Sequence, residues 1–292
     1  MRIGQITATP IVEIECQQFP AAMLVEVADP VVLAREEAWA QPAFYDRAQQ
    51  AFRMSTHSWL LDTGRHRILV DPCVGNFKPR RVFGFYDMLD TPYLERLQAA
   101  GAAPGEIDFV FCTHLHVDHC GWNTRLVDGR WVPTFPNARY LFSRREHDYW
   151  QAHDTYVPGM DTSLEVNVGV FADSVRPVVE AGLAQLVDDA PVEIAACLTV
   201  EASPGHTAGH LFGTLRSGGT GAVFAGDALH HPIQVHYPDW NTSGSFDPVQ
   251  ARQSRRRILG RCADEGLWLA AAHFMAPHAV RVQRDGSAFR IA

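Results

Sequence analysis

Apolar and polar residues alternate through the first 15 positions, the period of two expected of a strand with one buried face. The alternation fails from 17 to 53, where Pro20, Pro30 and Pro42 interrupt a stretch with no single long period, so this segment is expected to extend the fold. β-rich runs at 57–64 and 66–72, joined at Thr63 and Gly64, predict a hairpin of central strands. Residues 87–100 predict a helix, with Pro92 suited to its first turn and Gly101 closing it. A short apolar strand follows at 107–112 and another at 138–142. Residues 143–153 then predict a helix capped by Ser143, with Glu146 completing a capping box, and a helical connector reaches about Gly182.

The β-rich character returns in strands near 192–201, 210–216 and 221–226. A helix over 247–265 precedes an apolar strand, 267–273, that ends in His273. The last positions, 278–291, alternate as a hairpin around Asp285 and Gly286. Two β-rich halves, each followed by helix, predict an α/β fold of sandwiched sheets with helices outside, in one domain spanning 1–292. The 17–53 extension is expected to build either a homodimer contact or a pocket lid.

Composition agrees with a folded protein: 47% of the 292 residues are hydrophobic and 20% charged, enough for a large core. The formal charge of −8 disfavours nucleic acid as a partner. The one dense basic run, Arg255 to Arg257, falls in the 247–265 helix and reads as a solvated face. Six cysteines form no C-x-x-C pair, so neither a disulfide framework nor a zinc ribbon is expected, and reduced thiols suit a cytoplasmic protein. No signal-peptide pattern opens the chain, and no apolar run has the length of a membrane span.

The chemistry concentrates immediately after the 107–112 strand. His114 and His116 are two residues apart, so an extended backbone projects both imidazoles to one side, where they can grip one ion. Asp118 and His119 are adjacent and can reach a second position where the chain turns toward a helix. Downstream, a glycine-bracketed loop presents His206, and His210 either joins it as a ligand or orients one. Asp227 ends an apolar strand, where a bare carboxylate is costly unless it faces a cation or caps the next turn. His273 ends another apolar strand. His231, His236, Tyr237 and Trp240 either line a pocket or pack as a loop, Trp122 is equally open, and Cys120 reads as a small buried residue.

These motifs, H-x-H-x-D-H at 114–119, G-H-T-x-G-H at 205–210, Gly226-Asp227 and the late His273, resemble the dinuclear branch of the metallo-β-lactamase superfamily over nearly the whole chain. The resemblance implies an αββα four-layer sandwich with metals at one sheet edge. It implies that His114, His116 and His206 hold one ion, Asp118, His119 and His273 a second, and that Asp227 bridges them. Such a pair shares a hydroxide that attacks a polarised carbonyl or phosphoryl group. Two Zn2+ ions suit the nitrogen and oxygen donors first, with Mn2+, Fe2+ or Co2+ as alternatives. Asp118 is expected to be both ligand and proton shuttle. His230, three residues past Asp227, stands where the similar acyl-homoserine lactonases place a tyrosine. It either donates the same hydrogen bond to substrate or is an exposed loop residue.

The expected function is therefore hydrolysis of a small neutral ester-type substrate, with lactone opening ranked first. Organophosphate or aryl ester hydrolysis and a glyoxalase II-like thioesterase are the alternatives; a thioesterase of that kind carries a long C-terminal helical region, whereas 19 residues follow His273 here. A mononuclear iron enzyme resembling persulfide dioxygenases, and a noncatalytic binding protein, are the competing classes. Antibiotic hydrolysis is disfavoured by Asp227, and a flavodiiron pattern by His116.

Overall fold

The computed structural model describes residues 1–24, 29–40, 42–188 and 191–292. Two mixed sheets face each other. The first is built outward from Ala51–Asp62, which pairs antiparallel with Ile6–Pro20 on one side and with Arg67–Val70 on the other. Arg67–Val70, Phe109–Phe111, Arg139–Ser143 and Ala184–Val187 then run parallel to one another. The second sheet is antiparallel from Val192–Ile194 to Thr220–Phe224, which pairs parallel with Trp268–Ala270 before the terminal hairpin.

Alternation along the strands makes the layers. Trp59 and Leu61 point between the sheets while Leu60 points outward; Ile68 and Val70 flank Leu69 in the same way. Between the sheets these side chains meet Leu198, Leu215 and Phe224 of the second sheet. On the outer face of the first sheet, Leu69, Val110 and Tyr140 pack against Leu97, Trp150 and Phe171 from helical segments. On the outer face of the second, Phe212, Val223 and Leu269 pack against Ile258, Leu259 and Cys262 of the helix Pro248–Glu265. The result is the expected α/β sandwich of helix, sheet, sheet and helix. Among the described residues no helix is long and apolar enough to cross a membrane.

Several elements differ from the pattern-based expectation. The 87–100 helix is confined to Tyr93–Ala99, with Pro92 as its cap, because the chain before it is held in a loop by backbone and side-chain bonds described below. The 192–201 strand is two strands, Val192–Ile194 and Leu198–Ala202, folded over a turn at Ala195 and Ala196, both at positive φ. Thr124–Val127 and Arg130–Pro133 form an unanticipated hairpin around Asp128 and Gly129, both left-handed, a sequence pair that favours such turns.

The 17–53 segment is less irregular than its prolines suggest. Its two ends continue the paired strands Ile6–Pro20 and Ala51–Asp62, and between them lie the helices Ala21–Leu24 and Pro30–Ala40. Residues 25–28 and 41 of this segment lie outside the described residues. Leu33, Tyr45, Phe52 and Trp39 pack against Ile233, Tyr237 and Trp240 of the same chain, and Trp39 stacks on His236 at 5.0 Å.

Arg255 is not on a solvated face. It is buried, and its guanidinium donates to the carbonyls of Ala228, Pro238 and Trp240, lashing the helix to the loop that follows Asp227. Burial pushes its pKa down to about 10. Arg256 pairs with exposed Asp239, and Arg257 lies over Phe212.

Candidate metal centre

The centre is built at strand ends. The parallel strands Arg67–Val70 and Phe109–Phe111 deliver Asp71 and His114, and Thr220–Phe224 and Trp268–Ala270 deliver Asp227 and His273. Parallel strands end on one side of a sheet, so residues distant in sequence arrive together. Two glycines allow the approach. A Cβ on Gly205, at φ 135°, would lie 2.1 Å from the Ala251 nitrogen. One on Gly226, at φ 49°, would lie 2.4 Å from Thr113 Oγ1.

The structure brings the seven expected ligand residues into one cluster. The donor atoms of His114, His116 and His206 lie within 4.8 Å of one another, as do those of Asp118, His119 and His273. Asp227 sits between the two groups: Oδ2 is 3.4 Å from His206 Nε2 and Oδ1 is 3.3 Å from His119 Nε2 and 3.2 Å from His273 Nε2. His230 Nε2 stands 3.1 Å from Asp227 Oδ2 and is buried, so it is not an exposed loop residue. His210 faces elsewhere. Its Nε2 accepts the Asp227 backbone N–H at 3.1 Å and its Nδ1 contacts Ser203 Oγ at 2.8 Å, so it orients the carboxylate's backbone.

The donor set fits divalent ions. His114 Nε2, His119 Nε2 and Asp227 Oδ1 are buried without a hydrogen-bond partner, an arrangement that is costly unless a cation meets them. Outer contacts fix the rings: His273 Nδ1 lies 2.9 Å from the Ser55 carbonyl, leaving Nε2 to face inward. His119 Nδ1 lies 3.2 Å from Asp71 Oδ2, and that carboxylate also accepts the Thr113 N–H and hydroxyl.

Charge follows the same plan. Burial drives the His116 pKa down to about 4 against the pull of Asp118 and Asp227, and pushes His114 and His206 well below their ordinary value. These imidazoles are neutral, as ligands must be. Burial would raise Asp227, but His119, His230 and His273 outweigh it and hold the carboxylate well below its usual range. At His119 burial is likewise outweighed, by Asp227, Asp118 and Asp71, and the pKa rises well above its ordinary value.

Three residues outside the ligand motifs shape the site. Asp71 ends an apolar strand, the same placement that marks Asp227. Glu146 does not close a capping box: Ser143 caps the helix by accepting the Arg145 N–H, while the Glu146 carboxylate is buried beneath the two ligand loops. It accepts from the backbone of Leu115 and Gly209 and from Trp150 Nε1. Tyr86 donates to Asp118 Oδ2 at 2.8 Å, and no sequence motif marks it.

A cavity of about 380 Å³ opens over the cluster, floored by His116, Asp118, His206, Asp227, His230 and His273 and walled by Phe19, Met54, Phe83, Tyr86, Val117 and Val166. A more polar recess, sharing His116 and His206, is lined by Tyr149, Thr207, Ser245 and Phe246. No Lys or Arg borders either among the described residues, and Asp161 touches both. His231, His236, Tyr237 and Trp240 border neither, because they pack under the 17–53 segment. That segment contributes a wall through Phe19. Trp122 is also structural, stacked on Tyr93 and donating to buried Glu13, and Cys120 is a buried thiol whose pKa burial raises.

Comparison with known proteins identifies the family. The model of the metallo-beta-lactamase superfamily matches residues 51–265, and the chain belongs to that superfamily. An N-acyl homoserine lactonase, AttM of Azorhizobium caulinodans, is 27% identical over 178 residues, covering 59% of this chain and 61% of that protein, less than two thirds of its length. Among solved structures, the hydrolase AbOPH of the beta lactamase superfamily superposes with a TM-score of 0.81 at 22% identity, over 100% of this chain and 95% of that one. AidC, a dizinc quorum-quenching lactonase solved with the product N-hexanoyl-L-homoserine, gives 0.76 at 21% identity, over 100% and 95%. At these identities the two structures bear on the fold alone.

Proposed function

We propose that this member of the metallo-β-lactamase superfamily is a metal-dependent hydrolase of small neutral substrates, and that lactone ring opening is the reaction that suits it best. The observation that supports this is the coincidence, in one cavity, of two ligand triads flanking Asp227 with apolar walls that carry no Lys or Arg among the described residues. His114, His116 and His206 would hold one ion, Asp118, His119 and His273 another, and Asp227 both; zinc suits these donors first. Bound there, the ions supply Lewis acidity, polarising a carbonyl and lowering the pKa of water toward neutrality.

The protein's own groups do the rest. Phe19, Met54, Phe83 and Val166 take the apolar part of the substrate and exclude water from it. His230 Nε2, beside Asp227 Oδ2, donates to the carbonyl oxygen as it gains charge. Asp118 takes the proton released by the attacking water and delivers it to the ring oxygen, so that the acyl C–O bond breaks and the oxygen departs as a hydroxyl. A glutathione thioester carries carboxylates, which find no Lys or Arg here among the described residues and meet Asp161 at the cavity. The relation to an N-acyl homoserine lactonase supports the same choice.

The test is a turnover screen of zinc-reconstituted protein on an N-acyl lactone, an aryl ester, a phosphotriester and a glutathione thioester, with metal analysis. Lactone opening with about two zinc equivalents, abolished by chelation, is the expected result. Phosphotriester turnover without lactone turnover would replace lactone as the substrate. One iron equivalent with oxygen consumption would overturn hydrolysis altogether.

A further inference from the structure

A buried ionic cluster lies outside the metal centre. Asp173 accepts two bonds from Arg80, at 2.8 and 2.7 Å, and its Oδ1 lies 3.3 Å from Lys78 Nζ. Lys78 also donates to Thr124 Oγ1 and lies over the Trp131 ring. Both cations belong to one loop between Arg67–Val70 and Tyr93–Ala99. The loop is closed on itself by backbone bonds from Phe77 to Leu89 and from Met88 to Lys78, and by the Arg80 N–H to Asp87 Oδ1. These bonds brace the loop from within and anchor it on Asp173.

What it supports is Tyr86. The ring packs edge-on against Phe83 and Phe85, which stack on each other, and Phe19 from the N-terminal strand packs on both phenylalanines. The side chain is 2% exposed, borders the cavity, and directs its hydroxyl at Asp118 Oδ2. Asp118 is thereby tethered through one oxygen by a donor that enters from a different element than any of the seven ligands.

We infer that Tyr86 is a positioning residue for proton delivery: its hydroxyl fixes the rotation of the Asp118 carboxylate, and the 77–89 loop is the frame that holds it there. The inference rests on the hydrolase reading for its kinetic consequence and on the Tyr86–Asp118 bond alone for its structural one. A carboxylate free to rotate delivers a proton to the departing oxygen less often. The loss should therefore grow with the basicity of the leaving group. An alkoxide leaving from a lactone needs the proton as the bond breaks, whereas a nitrophenolate does not.

Tyr86→Phe keeps the ring and its packing and removes the hydroxyl, with its bond to Asp118 and its 3.2 Å contact with Thr56 Oγ1. With zinc loaded, kcat on an N-acyl lactone should fall about 10- to 100-fold, with KM and zinc affinity by chelator competition changed less than about threefold. On a 4-nitrophenyl ester kcat should fall less than about threefold. In cobalt-substituted protein the absorption bands of the site holding Asp118 should shift while those of the other site stay in place. Equal losses on both substrates, a loss that follows zinc affinity, or unshifted cobalt bands would overturn the inference. If the wild-type protein hydrolyses neither substrate, the lactone and ester reading falls, and the cobalt bands alone decide whether Tyr86 positions Asp118.

Discussion

Glu146 Oε1 accepts the backbone N–H of Gly209 at 2.8 Å, while Oε2 accepts that of Leu115 at 3.1 Å. One carboxylate thus spans the loop bearing His114 and His116 and the loop bearing His206. Its burial raises its pKa, with the bonds to these loops opposing the rise. Its role is geometric: it sets the separation of the two loops whose imidazoles would share an ion. Glu146→Gln places an amide NH2 against backbone N–H donors that need an acceptor. Affinity for the ion held by His114, His116 and His206 should fall about 10- to 100-fold, with the other site unchanged. Stepwise chelator competition resolves the two; a uniform loss at both sites would show that Glu146 only stabilises the fold.

His230 is the second expected lever. Its Nε2 reaches Asp227 Oδ2, and its backbone is fixed by the Gln234 side chain, which accepts the His230 N–H at 2.7 Å. His230→Phe keeps the buried volume and removes the donor. Loss of one such donor to a developing oxyanion lowers kcat by about 100-fold or more, so kcat on a lactone should fall by about two orders of magnitude with zinc content retained. Zinc loss in proportion to activity would instead make His230 a ligand.

How much of this was legible in the sequence depended on whether contacts were local. The strands were readable from alternation because one face of each is buried, and the ligand cluster was readable because four donors lie within six residues, 114–119. Asp71 was legible in principle: like Asp227 it is a carboxylate ending an apolar strand. Glu146 was misread because a capping box and a buried clamp demand the same residue at the same offset from Ser143, and only the tertiary fold chooses between them. Arg255 was misread for a related reason. Three consecutive arginines point in three directions on a helix, and the one facing inward finds carbonyls of the 228–241 loop to bond. Tyr86 was invisible, since its function depends on a loop held by Asp173, which lies 87 positions later in the chain.

Metal removal should be felt by the fold as well as by catalysis. His114 Nε2, His119 Nε2 and Asp227 Oδ1 are buried without a well-formed hydrogen bond, and an unmet buried polar group costs about 1–3 kcal/mol. Free zinc at one hundred times its Kd stabilises by about 2.7 kcal/mol per site, so chelation should lower Tm by several degrees and zinc should restore it. In Asp227→Asn the restoring shift should shrink by at least half. Scanning calorimetry at fixed protein concentration measures both, and an identical zinc-dependent shift in the variant would remove Asp227 from the site.

The Arg80–Lys78–Asp173 cluster gives a stability prediction with a defined pH window. Burial would raise the Asp173 carboxyl, but Arg80 and Lys78 outweigh it and hold its pKa below the ordinary 3.8. A carboxylate depressed in the folded state stabilises fully above its unfolded pKa and loses that contribution as pH falls through the folded value. Burial holds Lys78 down to about 8 against the pull of Asp173, so this residue acts in the opposite range. Between about 8 and 10.5 the folded protein binds fewer protons at Lys78 than the unfolded chain does, and its contribution to stability rises with pH. Asp173→Asn leaves two buried cations without a counter-charge and should cost about 3–5 kcal/mol at pH 7, read as a lower urea midpoint at unchanged slope. The gap between variant and wild type should be constant from about pH 5 to 7 and narrow as pH falls below 3.8. A gap that persists undiminished through acid would mean that Asp173 acts by packing and not by charge.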